Sequence, residues 1–149
     1  MTQADFETII ADTSKRIESR IQWSGDEDHF PALEFRVDVS SDSGYPLIMK
    51  GSYNPLAQTL SYVLIHRLAG RIYALDLGKD HHNPTCETVG EKHKHRWGEG
   101  LRDKVAYVPE DITATVENPV DVWDQFCREA GIHHNGLDVP EHQIPPGIF

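Results

Sequence analysis

Little in this chain points to a membrane, an export route or a disulfide-stapled fold. Among its 149 residues no apolar run approaches the roughly 18 that a membrane span needs. The opening "MTQADFETIIADTSKRIESRI" has neither a basic start nor a continuous apolar stretch, so no secretory signal is expected. Position 2 is Thr2 rather than the glycine that myristoylation requires. Cysteine is scarce: Cys86 and Cys127 stand 41 positions apart, a spacing that matches neither a disulfide framework nor a four-cysteine zinc site. Both are expected as reduced thiols in a cytoplasmic protein. Cys127 falls in a helical pattern as a small core residue, and Cys86 in a histidine-rich stretch. The glycine motifs that cradle nucleotide phosphates are missing, and so is any serine, cysteine or threonine nucleophile signature.

Basic residues are few as well. Fourteen Lys and Arg face 24 Asp and Glu, for a net charge of −10. An acidic surface repels nucleic acid and favours solubility or a basic partner. The charge is unevenly spread, however. From Lys92 to Lys104 five basic residues (Lys92, Lys94, Arg96, Arg102, Lys104) meet two acidic ones.

Hydrophobic content of 38% and charged content of 26% fit one globular domain over 1–149, large enough for a core of its own. Phe6, Ile9, Ile10, Thr13, Ile17 and Ile21 follow a 3.6-residue period, which predicts an N-terminal helix over 1–23. Thr2 is its cap and Asp5 sits in its first turn. The period then changes to two. "PALEFRVDVS", "YPLIMKGSY", "TLSYVLIHRL" and "RIYALDL" read as an antiparallel meander over 30–77, its third strand central. A long histidine-rich basic loop over 78–103 follows, then a short strand at "KVAYV" and a helix at "NPVDVWDQFCREAGI", within 104–132. Asn118, Pro119 and Gly131 mark that helix's ends. An extended tail, 133–149, is docked by Ile148 and Phe149. The fold expected is α+β: a four- to five-stranded antiparallel sheet packed by the two helices, the loop crossing it.

The stretch "HHNPTCETVGEKHKHRW", residues 81–97, holds four of the nine histidines. Four chemistries suit it. In an extended segment His93 and His95 project to one face and can share an ion. His81 or His82 and Cys86 are then the candidates for a third and fourth ligand, and zinc is the metal that such nitrogen and sulfur donors suit. Alternatively, His81 or His82 with His93 or His95 forms an acid–base pair that cleaves RNA without metal, Lys94 or Arg96 clamping the phosphate. Third, Lys92, Lys94, Arg96 and Trp97, with Asn83, bind an anionic ligand: a nucleic-acid phosphate or an acidic protein surface. Fourth, the loop is structural, its histidines bonded to backbone and Asn83–Pro84 a turn. His66 reads as a bonded core histidine, able to join the cluster only if the loop folds over its face. His133 and His134 read as a helix-end cap.

The segment from Leu75 to Pro109 resembles a family of small uncharacterised bacterial and prophage proteins. These share H-x-N-P, then G-x-H-x-H before an aromatic, then D-K-x-A. The motifs fall on His81 (or His82), Asn83 and Pro84; on Gly90, His93, His95 and Trp97; and on Asp103, Lys104 and Ala106. "GEKHKHRW" departs by one extra residue after the glycine. The resemblance implies a mobile-element setting in phage–host conflict and assigns no catalytic residue. The leading expectation is anion binding through the basic stretch without a cofactor, with a small ribonuclease and a zinc-stabilised interaction module as alternatives.

Overall fold

The computed structural model describes residues 1–78, 90–102 and 104–140. Helix α1 (Gln3–Ala11) starts as its sequence dictates. The Asp5 amide donates to the Thr2 hydroxyl and the Thr2 amide to the Asp5 carboxylate, a reciprocal capping box. The helix does not run on to residue 23. Asp12 turns to extended backbone, and its carboxylate accepts the Ser14 amide at 2.7 Å. Lys15 then folds its ammonium back onto the carbonyls of Ile9, Ile10 and Asp12, which closes the helix end. Ile17 and Ile21 are buried all the same. A spacing of four lies on one face of a strand as well as of a helix, and this part of the chain is extended, passing through β1 (Arg16–Ile17) and β2 (Ser24–Gly25).

Period-two alternation then builds four long strands, β3 (Leu33–Val39), β4 (Leu47–Asn54), β5 (Thr59–His66) and β6 (Gly70–Leu77). They pair antiparallel in chain order, as short connections favour. The sheet goes on through β7 (Lys92–Arg96) and β8 (Ala106–Tyr107), so β2 to β8 form seven strands in sequence rather than four or five. The segment expected as loop thus contains a sheet strand. Its pattern Lys–His–Lys–His–Arg carries no apolar alternation, and only its pairing with β6 declares it.

Helix α2 (Pro119–Ala130) has Pro119 in its first turn and Gly131 in the left-handed conformation at its end, with φ of 67°. After it, β9 (His133–His134) pairs in parallel with β1, which makes these histidines strand residues rather than a cap alone. His134 accepts the Gly136 amide at Nδ1, and its Nε2 meets Asp124 at 3.1 Å. Residues 141–149, the tail with Ile148 and Phe149, lie outside the described residues.

One face of the sheet carries the aromatic core. Trp123 and Phe126 of α2 pack on Phe35, Tyr62 and Tyr73, with ring centroids 5.0 to 5.6 Å apart for the closest pairs. The buried Tyr62 hydroxyl donates to the Pro119 carbonyl at 2.6 Å, so its polar end is satisfied. Phe35 lies across Gly51, its partner in the ladder. A Cβ on Gly51 would stand 2.1 Å from that ring. Gly51→Ala is therefore expected to lower stability by about 2 kcal/mol through overpacking, read as a lower urea midpoint at unchanged slope. Among the described residues no helix is long and apolar enough to cross a membrane.

Candidate metal centre

Strand alternation places Ser61, Asp76 and His93 in one cross-strand row on the sheet face away from the aromatic core. Ser61 lies opposite Asp76 in the β5–β6 ladder, and Asp76 lies opposite His93 in the β6–β7 ladder. His95, two residues on, falls on the same face. Its direct partner is Ala74, whose short side chain leaves His95 room to lean towards Asp76. The outcome is a convergence on one carboxylate oxygen. His93 Nε2 stands 3.1 Å from Asp76 Oδ2, and His95 Nε2 stands 3.5 Å from the same atom. The two imidazoles meet nearly edge to face, centroids 5.0 Å apart. All three ligand atoms lie within 4.8 Å of one another.

The partners beyond this group fix its orientation. Ser61 Oγ donates to Asp76 Oδ1 at 2.5 Å, so that oxygen is occupied and Oδ2 is left to face the imidazoles. His93 Nδ1 stands 3.0 Å from the Gly90 carbonyl. A carbonyl only accepts, so Nδ1 carries the proton and Nε2 is the nitrogen turned towards Asp76. A backbone carbonyl holding the remote nitrogen in this way is the usual support of a metal-bound histidine. Burial would push the Asp76 carboxyl up, but contacts from His93, His95 and Ser61 outweigh it and hold the group well below the usual carboxylate range. His93 is 2% exposed and His95 5%.

The other residues singled out in the sequence go elsewhere. Lys94 points to the opposite, core-facing side and is fully buried. Its ammonium lies 2.6 Å from both Asp111 and Glu129. That corrects its reading as a clamp or catalytic cation beside the histidines, because two carboxylates already hold it and a sheet separates it from them. Trp97 is likewise no exposed stacking platform: it is buried against Phe6 in the core. Arg96 lies over the Phe6 ring, 5.5 Å from its centroid, and 3.9 Å from Glu7. The Lys92 ammonium donates to the Ile112 carbonyl at 2.9 Å. The cations of "KHKHRW" thus leave β7 on one face, the side away from the histidines, and each is engaged by a partner within the chain.

His66 accepts the amides of Leu68 and Ala69 at Nδ1, 3.2 Å each, and by alternation lies on the face of Tyr62, not of Ser61. It is a bonded structural histidine. Cys127 is buried in α2, where burial pushes its thiol up, as suits a core residue. His81, His82, Asn83 and Cys86 lie outside the described residues.

Asp76 and Ser61 escaped the sequence reading. Their one signal was a lone aspartate inside the apolar strand "RIYALDL", on the face that also carries Ala74. Nothing local linked it to a histidine pair 17 residues on. Asp111 and Glu129 likewise carry no local signal that links them to Lys94.

No curated protein and no solved structure matches the chain. A family of unknown function, DUF6978, matches residues 1–132, a span that includes every strand from β1 to β8, α2 and the Asp76–His93–His95 group. The chain belongs to this family.

Proposed function

We propose that this protein binds a transition-metal ion, zinc being the one its donors suit best, through Asp76 Oδ2, His93 Nε2 and His95 Nε2. The observation that carries the reading is the convergence of two imidazole nitrogens on one carboxylate oxygen at 3.1 and 3.5 Å. Metal–ligand bonds of about 2.0 to 2.1 Å at tetrahedral angles put neighbouring ligand atoms about 3.3 Å apart, between those two separations. Two imidazoles and a carboxylate suit Zn²⁺, Co²⁺ or Fe²⁺ over Mg²⁺ or Ca²⁺, which favour all-oxygen sets.

A proton on His93 Nε2 would also satisfy its contact with Asp76. A second proton on His95 Nε2 would serve the other contact, whereas a single ion placed among the three atoms serves both with the imidazoles neutral and offsets the buried carboxylate's charge. The ribonuclease reading draws less support. The imidazole it takes from β7, His93 or His95, is buried, and its clamp candidates Lys94 and Arg96 leave that strand on the other face of the sheet. Anion binding has its cations already engaged, each against a partner within this chain.

Untagged protein purified without chelator, analysed for metals and titrated with Zn²⁺ by calorimetry, tests the proposal. One equivalent per chain in the wild type is expected, lost in the His93→Gln, His95→Gln double variant. Equal uptake by both proteins, or none by the wild type, removes the site.

A further inference from the structure

We infer that Lys94, gripped by Asp111 and Glu129 on the core side of β7, is the positioning residue of the metal centre on the other side. The inference rests on the metal-binding reading above. His93, Lys94 and His95 are consecutive, and their side chains leave the strand on alternate faces. Rotating β7 about its own axis therefore moves all three together. Whatever fixes Lys94 fixes the directions of both imidazoles.

The ladder alone leaves that rotation weakly held. β7 pairs with β6 along five residues, but on its other edge it meets β8 through only two pairs, Lys94 with Tyr107 and His95 with Ala106. His95 is the point of the arrangement most sensitive to that rotation. It reaches Asp76 diagonally, not from the directly opposed position, so its 3.5 Å contact depends on strand twist more than the direct pair His93–Asp76 does.

Lys94 supplies the missing constraint. Its ammonium is fully buried, 2.6 Å from Asp111 Oδ2 and 2.6 Å from Glu129 Oε2, and 5.3 Å from the Tyr73 ring centroid. Glu129 comes from the last turn of α2 and Asp111 from the segment after β8, so the two carboxylates approach from separate parts of the fold. A buried ammonium held at both sides moves only by losing a charged contact, which makes it a stiff anchor. Stability by itself would be served as well by apolar side chains in place of the whole Asp111–Lys94–Glu129 group beside Tyr73. An ionic anchor adds a fixed direction, and the residues that need one are the neighbours in sequence that converge on Asp76.

Cobalt(II) is the probe, because its visible bands report coordination geometry as well as affinity. Co²⁺ alone is titrated into full-length wild type, Lys94→Met and Glu129→Gln, with near-UV circular dichroism showing that each apo protein is folded. The expected result is affinity at least about tenfold weaker in Lys94→Met, the scale of an outer-shell loss, with altered band position and intensity. Glu129→Gln, which leaves one carboxylate on Lys94, is expected to lose about threefold and to shift the bands in the same direction. A Lys94 that only stabilises the fold would lower the melting temperature but leave affinity and spectrum of the folded protein unchanged. Wild-type affinity and spectrum in folded Lys94→Met overturns the inference. Where Lys94→Met does not fold, the same result in Glu129→Gln overturns it. Absence of Co²⁺ binding by the wild type is a different failure: it removes the metal centre, and this inference with it.

Discussion

Asp76→Asn is expected to weaken zinc binding by about a hundredfold while leaving the apo fold intact. The substitution keeps size and shape, and the asparagine carbonyl can still accept the Ser61 hydroxyl that now bonds Oδ1. What it removes is the single charged oxygen on which both imidazoles converge. A neutral amide is a poor ligand for zinc, and two imidazoles alone make an incomplete set. Binding to the native state adds RT ln(1 + [L]/Kd), so zinc at 1,000 times the wild-type Kd raises stability by about 4 kcal/mol. At the same concentration a hundredfold weaker variant gains about 1.4 kcal/mol. For a domain of this size the melting temperature should rise about 10 °C in the wild type and about 4 °C in the variant. Differential scanning calorimetry with and without zinc measures both, and chelator should reverse the larger rise. Equal shifts in the two proteins would place any bound zinc elsewhere.

Which parts of this were legible in the sequence follows from how local each determinant is. The start of α1 was readable because Thr2 and Asp5 cap each other within four residues. Its end was not. Ile17 and Ile21 continue a spacing that suits helix and strand alike, and what closes the helix is Lys15 folding back over carbonyls. Strands β3 to β6 announced themselves because one face of each is buried and alternation records it. β7 is withdrawn from solvent on both faces yet polar on both, so no periodicity could mark it as a sheet strand. The same property hid half of the centre. His93 and His95 were visible as a same-face pair, since two residues of extended chain suffice to define it. Their carboxylate was not, because only the β6–β7 register brings Asp76 opposite His93. Lys94 in a basic run reads as a surface cation until Asp111 and Glu129 are seen to close on it.

Lys15→Met should cost the protein about 3 kcal/mol at neutral pH. Lys15 is fully buried, and its ammonium donates to the carbonyls of Ile9, Ile10 and Asp12 at the end of α1; Ile9 also accepts the Asp12 amide, so the carbonyls that lose most are those of Ile10 and Asp12. Methionine fills a similar volume but donates nothing. Orphaned buried acceptors cost about 1 to 3 kcal/mol each, and relief from burying the charge offsets part of that total. Urea unfolding should show a midpoint about 1.5 M lower at unchanged slope, taking a slope of about 2 kcal/mol per molar. A pH series separates the two contributions. Burial pushes the Lys15 ammonium down to about 8, against some support from Asp12, from an ordinary value of 10.5. Between those values the unfolded chain holds more protons than the native one, so Lys15 makes stability rise with pH across that window. Lys15→Met lacks the rise. The stability gap between the two proteins should therefore widen from about pH 7.5 to about pH 10. A gap that stays constant would mean that the three carbonyls hold the proton as firmly as water does, with the whole loss due to their missing donor.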